Sequence, residues 1–179
     1  AFADRLAEGS AHMLFGPRSG SKTSDFQIPA ELPPGLLQDL LPLKVAGVES
    51  LRPGHFEGMA EGSGALINWL ERVETDLEPR LSTAGGRGVW YQAGRFHYLA
   101  GWPDQALMHE ILAALAAECR LAVRPLPQGL RLRRHGDVQF AFNYAPGEAD
   151  IAHLVPRGAS LMLGSLKLPP AGVAAWLAG

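Results

Sequence analysis

Cysteine is almost missing: Cys119 stands alone in 179 residues, so no disulfide can close within the chain. That usage suits a reducing compartment, and a cytoplasmic location is the expectation. Charge of one sign is missing too. Sixteen Lys and Arg face eighteen Asp and Glu, for a net charge of −2. No long run of either sign occurs, which disfavours nucleic acid and anionic membrane as partners. No stretch nears the roughly 18 consecutive apolar residues of a membrane span. Charged residues amount to only 19%, against 47% hydrophobic. So low a charge predicts a surface that something else normally covers. The chain opens at "AFADRLAEGSAHM", with neither an initiator Met nor a signal peptide, and reads as an excised piece.

Catalytic constellations are also scarce. "HMLFGPRSGSKTSDF" (12–26) resembles a phosphate loop, but a P-loop places glycine directly before its lysine. Here Ser21 separates Gly20 from Lys22, and Pro17 removes a donor N–H. Cys119 lies near the C-terminal end of an apolar helix, whereas a reactive thiolate favours a helix N-terminus or a cation. No two of the six histidines are spaced i+3 to i+5, so no helical zinc face is encoded. His12 and His97 read as hydrogen-bonded structural residues beside or within buried strands, and His109 as solvated. Ser19 and Ser21 lack the G-x-S-x-G elbow. Arg131 and Arg133 read as the outer face of an edge strand. Trp69, Trp90, Trp102 and Trp176 read as core or interface anchors. These residues do not make an enzyme, and neither cofactor nor metal is expected.

What is present divides in two. Residues 1–9 predict a helix carrying Phe2, Leu6 and Ala7 on one face, with Gly9 as C-cap. "AHMLFG" predicts a buried strand, and the helix–glycine–strand order suggests a parallel α/β unit. Residues 17–35 form a long loop, 35–43 a short amphipathic helix, and 44–54 an extended piece. Segment 61–81 fits a helix through Leu66, Ile67, Leu70 and Val73. It fits a strand through Ile67, Trp69, Val73 and Thr75, with Glu71 the exception, and the strand is preferred. Residues 89–102 are strand-rich. A helix spans 103–119, with Pro103 in its first turn, Asp104 near its positive end, and a Leu107, Ile111, Leu115 stripe. After the linker "VRPLPQG", alternation by two around His135-Gly136-Asp137 predicts a hairpin, with short strands near 151–154 and 160–163. The domains are therefore residues 1–124, α/β, and 125–179, a small antiparallel β unit too small to be more than marginally stable alone.

Four stretches occur in a telling order: "MLFGPRSGSKTSDFQIPAELPPG", "YLAGWPD", "GLRLRRHGDVQFAFNYAP" and "SLMLGSLKLPPAGVAAW". Together the sequence resembles the C-terminal portion of bacterial β-galactosidases of glycoside hydrolase family 42. The resemblance implies a missing catalytic (β/α)8 barrel that hydrolyses terminal β-D-galactosides. It also implies a homotrimer, and a trimerisation domain with a flavodoxin- or glutamine amidotransferase-like, mostly parallel sheet, here lacking its first strand–helix portion. The implied partners are the chain's own barrel and neighbouring subunits. The family's acid/base glutamate follows an asparagine. Asn68 and Asn143 precede Trp69 and Tyr144, so no catalytic residue carries over. The expectation is an inactive assembly piece, with a stand-alone domain binding phosphate or sugar through residues 16–26 as the rival. Arg18, Lys22, Asp25, Phe26 and Ile28 in the long loop mix charge with apolar anchors, as a contact to the barrel or another subunit would.

Overall fold

A computed structural model describes residues 2–177, the side chains from residue 4 onward. The side-chain placement expected for Phe2 lies outside the described residues. Two compact units, residues 1–122 and 123–179, divide the chain.

The first unit opens with helix α1 (Phe2–Glu8), followed by strand β1 (Met13–Phe15). A 3-10 turn at Gly35–Asp39 replaces the amphipathic helix expected over 35–43. Strand β2 (Leu43–Ser50) begins directly after Pro42, so no room is left to propagate a helix. Then come β3 (Phe56–Gly58), β4 (Ala65–Thr75), β5 (Leu81–Ser82), β6 (Gly88–Ala93), β7 (Phe96–Leu99), β8 (Gly101–Pro103) and helix α2 (Gln105–Glu118). Segment 65–75 is thus a strand, as preferred. Pro103 ends β8 instead of starting the helix. Asp104 is the N-cap, its Oδ1 accepting from Leu107 N at 2.8 Å while Oδ2 accepts from Ala65 N at 3.1 Å. Gly64, with φ +88°, lets the chain pass this cap. A Cβ there would sit 2.5 Å from Leu107 N.

The mostly parallel sheet is corrected. One sheet has the order β1-β7-β6-β5, and only β1–β7 is parallel. The second sheet pairs β4 with β2, β3 and β8, all antiparallel. The cause is connection length. β6 and β7 are joined by Gly94 and Arg95 alone, and a parallel neighbour needs a crossover of a dozen residues or more. The observed fold is β-rich with few helices. Leu107 and Ile111 of α2 pack on Leu66, Leu70, Val89, Trp90 and Leu99, while Leu6, Leu37, Leu41, Leu43, Val45 and Tyr98 fill a second cluster.

The second unit is antiparallel: β9 (Leu130–His135), β10 (Val138–Asn143), β11 (Ala149–Asp150), β12 (Leu161–Leu163), β13 (Lys167–Leu168) and β14 (Val173–Leu177). Its larger sheet runs β12-β14-β10-β9, which puts the arginine-bearing β9 at an edge. Val138 pairs with His135 across Gly136-Asp137, the expected hairpin. No strand forms at 151–154. Ile151 and Leu154 bury themselves from the two ends of one turn, Leu154 N donating to Ile151 O at 2.9 Å, a spacing of three that a strand cannot use. Buried Asn143 accepts from Ala145 N at 3.0 Å, and its amide nitrogen reaches Gly147 O at 2.8 Å and Leu168 O at 3.0 Å.

Candidate functional site

The long loop has a base and a tip. At the base, Arg18 sits at φ 67° and its backbone N–H donates to Glu71 Oε1 at 2.8 Å. Trp69 Nε1 donates to the same oxygen at 3.2 Å, and Tyr98 Oη donates to Glu71 Oε2 at 2.6 Å. Glu71 is 1% exposed. A buried carboxylate is tolerable only when its oxygens are satisfied, and three donors do that here. Burial, then the hydrogen bond to Glu71, then its charge push the Tyr98 hydroxyl well above the ordinary tyrosine range. The Arg18 guanidinium stands over the Trp69 ring, 5.3 Å from its centroid. Gly20, at φ 67°, passes so close to Pro34 that a Cβ would lie 1.9 Å from the Pro34 carbonyl oxygen. The loop is pinched shut at that point.

Beyond the pinch the loop builds its own turn. Thr23 N donates to Gln27 O at 2.9 Å, Phe26 N to Thr23 O at 3.0 Å, and Gln27 N to Thr23 Oγ1 at 3.1 Å. The hydroxyl that a phosphate loop would turn toward a metal is thus a turn cap. The turn throws Phe26, at φ 60°, outward at 83% exposure, with Ile28 at 81%; Leu36, on the 3-10 turn that follows the loop, is 79% exposed. Lys22 and Asp25 are exposed and have no ion pair among the described residues. A cavity of about 470 Å³ lies under the tip, with Lys22, Thr23 and Glu31 at its polar side and Pro29, Pro34, Leu36 and Leu37 at its apolar side. Of the five contact residues expected, Lys22, Asp25, Phe26 and Ile28 lie on the tip, while Arg18 belongs to the base.

A second cluster escapes any local reading. His12 precedes β1, His97 lies on β7 and Glu118 ends α2. His12 Nδ1 is 3.3 Å from His97 Nε2, and Glu118 Oε2 is 4.0 Å and 3.8 Å from those two atoms. His97 is fully buried, and its Nδ1 has no hydrogen-bond partner among the described residues. Burial lowers the His97 pKa, opposed by the Glu118 charge and assisted by Arg80 and His12. Arg80 pairs with Glu118 Oε1, donates to Gln92 Oε1 at 2.7 Å, and lies 4.2 Å over the Trp90 ring. The residues are distant in sequence, and only the β1–β7 pairing brings His12 beside His97. A search at helical spacing has no means of finding them.

Glu71 was also missed, although a signal existed: it is the one charge on the apolar face of the β4 pattern. Cys119 caps the end of α2 and is half-buried. Among the described residues no helix is long and apolar enough to cross a membrane.

Comparison with known proteins gives a consistent answer. No family model matches the chain. It is 52% identical over 177 residues to a β-galactosidase of Thermus thermophilus, covering 97% of this chain but 27% of that relative. Among solved structures, β-galactosidase from the psychrophilic Marinomonas ef1 superposes with a TM-score of 0.88 at 37% identity, over 99% of this chain and 27% of that one. A GH42 β-galactosidase from G. stearothermophilus shares the fold, with a TM-score of 0.70 at 14% identity, over 97% of this chain and 29% of that one. The resemblance read from the sequence is borne out, and the chain spans about a quarter of the length of these proteins.

Proposed function

We propose that this chain, which shares sequence and fold with about a quarter of a family 42-type β-galactosidase, is the non-catalytic, C-terminal assembly part of such an enzyme. The whole enzyme hydrolyses terminal β-D-galactosides in a separate (β/α)8 barrel. This part braces the barrel and supplies contacts of a homotrimer. Its first unit is the remainder of an amidotransferase-like trimerisation domain; the parallel β1–β7 pair and the two helices are what such a domain would keep.

The observation that carries the reading is the tip of the 16–35 loop. Phe26 and Ile28 are carried outward by a turn with its own hydrogen bonds, Leu36 is exposed on the 3-10 turn that follows the loop, and free water contact of three large apolar side chains is costly unless a partner covers them. Lys22 and Asp25 form the polar rim, and the partner is the barrel or a neighbouring subunit. The test is amide hydrogen exchange on the 179-residue chain and on the full-length enzyme. The amides of Ser24, Asp25, Ile28, Ala30, Glu31 and Leu32 should exchange quickly in the first and be protected in the second. Equal exchange in both removes the loop from the assembly. The chain alone should not hydrolyse a chromogenic β-galactoside. Turnover lost on mutating one of its own carboxylates overturns the reading.

The cavity beneath the tip supports one rival, a stand-alone domain taking phosphate or a sugar beside Lys22 and Thr23. Ligand at about 100 times its Kd would raise the melting temperature by several degrees. Phosphate, ATP and galactose should leave it unchanged.

A further inference from the structure

We infer that His12, His97 and Glu118 form a binding site for one divalent transition-metal ion of the zinc type. The inference is independent of the assembly role. Four ligands about 2.0–2.1 Å from a tetrahedral Zn2+ stand about 3.3 Å from one another. His12 Nδ1 and His97 Nε2 are already 3.3 Å apart, and Glu118 Oε2 lies 4.0 Å and 3.8 Å from them. A shift of the Glu118 side chain by about half an ångström completes three corners. His12 and Glu118 are 31% and 28% exposed, so solvent reaches the fourth corner and water fills it. Two imidazoles and one carboxylate suit Zn2+, Co2+ or Ni2+ better than Ca2+ or Mg2+, which prefer all-oxygen shells.

The surroundings orient the ligands. Arg80 holds Glu118 through Oε1 and leaves Oε2 turned to the histidines. Arg80 is itself fixed by Gln92 and by the Trp90 face. A ligating carboxylate held by a hydrogen bond on its other oxygen is the usual outer-shell arrangement. His97 is buried on β7, between His12 and Trp90, with ring centroids 5.6 Å and 5.8 Å away. Ligation through Nε2 places its proton on Nδ1, the atom that has no acceptor among the described residues. That missing acceptor, and the Arg80 charge nearby, weaken the site relative to a dedicated structural zinc centre. The ion would tie three segments together: the chain entering β1, strand β7 and the end of α2.

The experiment uses the metal-stripped 179-residue chain. Zn2+ is titrated by calorimetry, Co2+ by visible absorption, and melting is followed with and without Zn2+. His97 is in the core, so the variants are His12→Ala and Glu118→Gln, both at partly exposed positions. One Zn2+ per chain should bind, with the intense visible bands of tetrahedral Co2+. Zn2+ at about 100 times its Kd should raise the melting temperature by about 5 °C or more. Each variant's own metal-free melting temperature is its reference, and both should lose the Zn2+-dependent rise. A Kd weaker than about 100 μM, the absence of Co2+ bands, or a Zn2+ rise kept by both variants overturns the site. The last result would put the metal on the exposed histidines elsewhere.

Discussion

The base and the tip of one loop, a few residues apart, are built on opposite principles. The base is sunk into the fold: Arg18 N–H, Trp69 and Tyr98 converge on Glu71, and Gly20 lies against Pro34. The tip is closed by local bonds between Thr23, Phe26 and Gln27, and it turns its largest apolar side chains away from the first unit. A loop that only connected β1 to β2 would not need a fixed base and a shaped tip. On the assembly role proposed above, the anchored base would aim the tip. Breaking the base should cost stability, whereas changing the tip should cost none in this chain.

The largest effect is expected from Glu71→Ala. It leaves the Tyr98 hydroxyl buried without an acceptor and frees the Arg18 and Trp69 donors, at a cost of about 3–5 kcal/mol by comparison with other broken buried polar networks. Thermal melting checks it, and a fall of under about 1 kcal/mol would show that the base is not the anchor. Gly20→Ala should follow at about 2–3 kcal/mol, since a Cβ there meets the Pro34 carbonyl and the backbone is left-handed. Gly16→Ala, where a Cβ meets nothing, is the control and should cost far less.

Alkali sharpens the same comparison. Tyr98 and Tyr91 have folded pKa values raised above the unfolded value of about 10. The unfolded chain therefore releases their protons first. The stability these tyrosines contribute is complete below pH 10 and is lost as the pH climbs toward their folded pKa values. Absorbance at 295 nm should show both ionising only as the chain unfolds. Ionisation of Tyr98 in chain that keeps its far-ultraviolet dichroism would break the Glu71 contact. The smallest effect belongs to the tip: Phe26→Ala should change the melting of the 179-residue chain by no more than about 0.5 kcal/mol.

Much of this architecture could be read from local pattern. The β9–β10 hairpin is legible because strict alternation flanks Gly136-Asp137, and α2 because Asp104 and the Leu107–Ile111 stripe agree. Where reading failed, the deciding partner lay far along the chain. Helix, glycine and strand at 2–15 are seen correctly, but the direction of the neighbouring strands is set by the short Gly94-Arg95 turn some 80 residues later. Pro103 suits a first helical turn, yet its pairing with Leu66 on β4 claims it for β8. Ile151 and Leu154 look like strand residues by composition, and their spacing of three was the overlooked sign. In the loop, residue types suggested a contact surface but not its division at Gly20. The division follows from Glu71, which the β4 pattern had marked only as an exception.

The most direct test of the central claim places Phe26→Ala in the full-length β-galactosidase. Sedimentation is measured down to low concentration, and kcat/KM alongside. If the tip is an assembly anchor, losing a buried aromatic worth about 2 kcal/mol raises the dissociation constant of the proposed trimer about 30-fold, or lowers kcat/KM where the contact is to the proposed barrel. An assembly that persists unchanged at the lowest concentration, with kcat/KM also unchanged, would contradict the account.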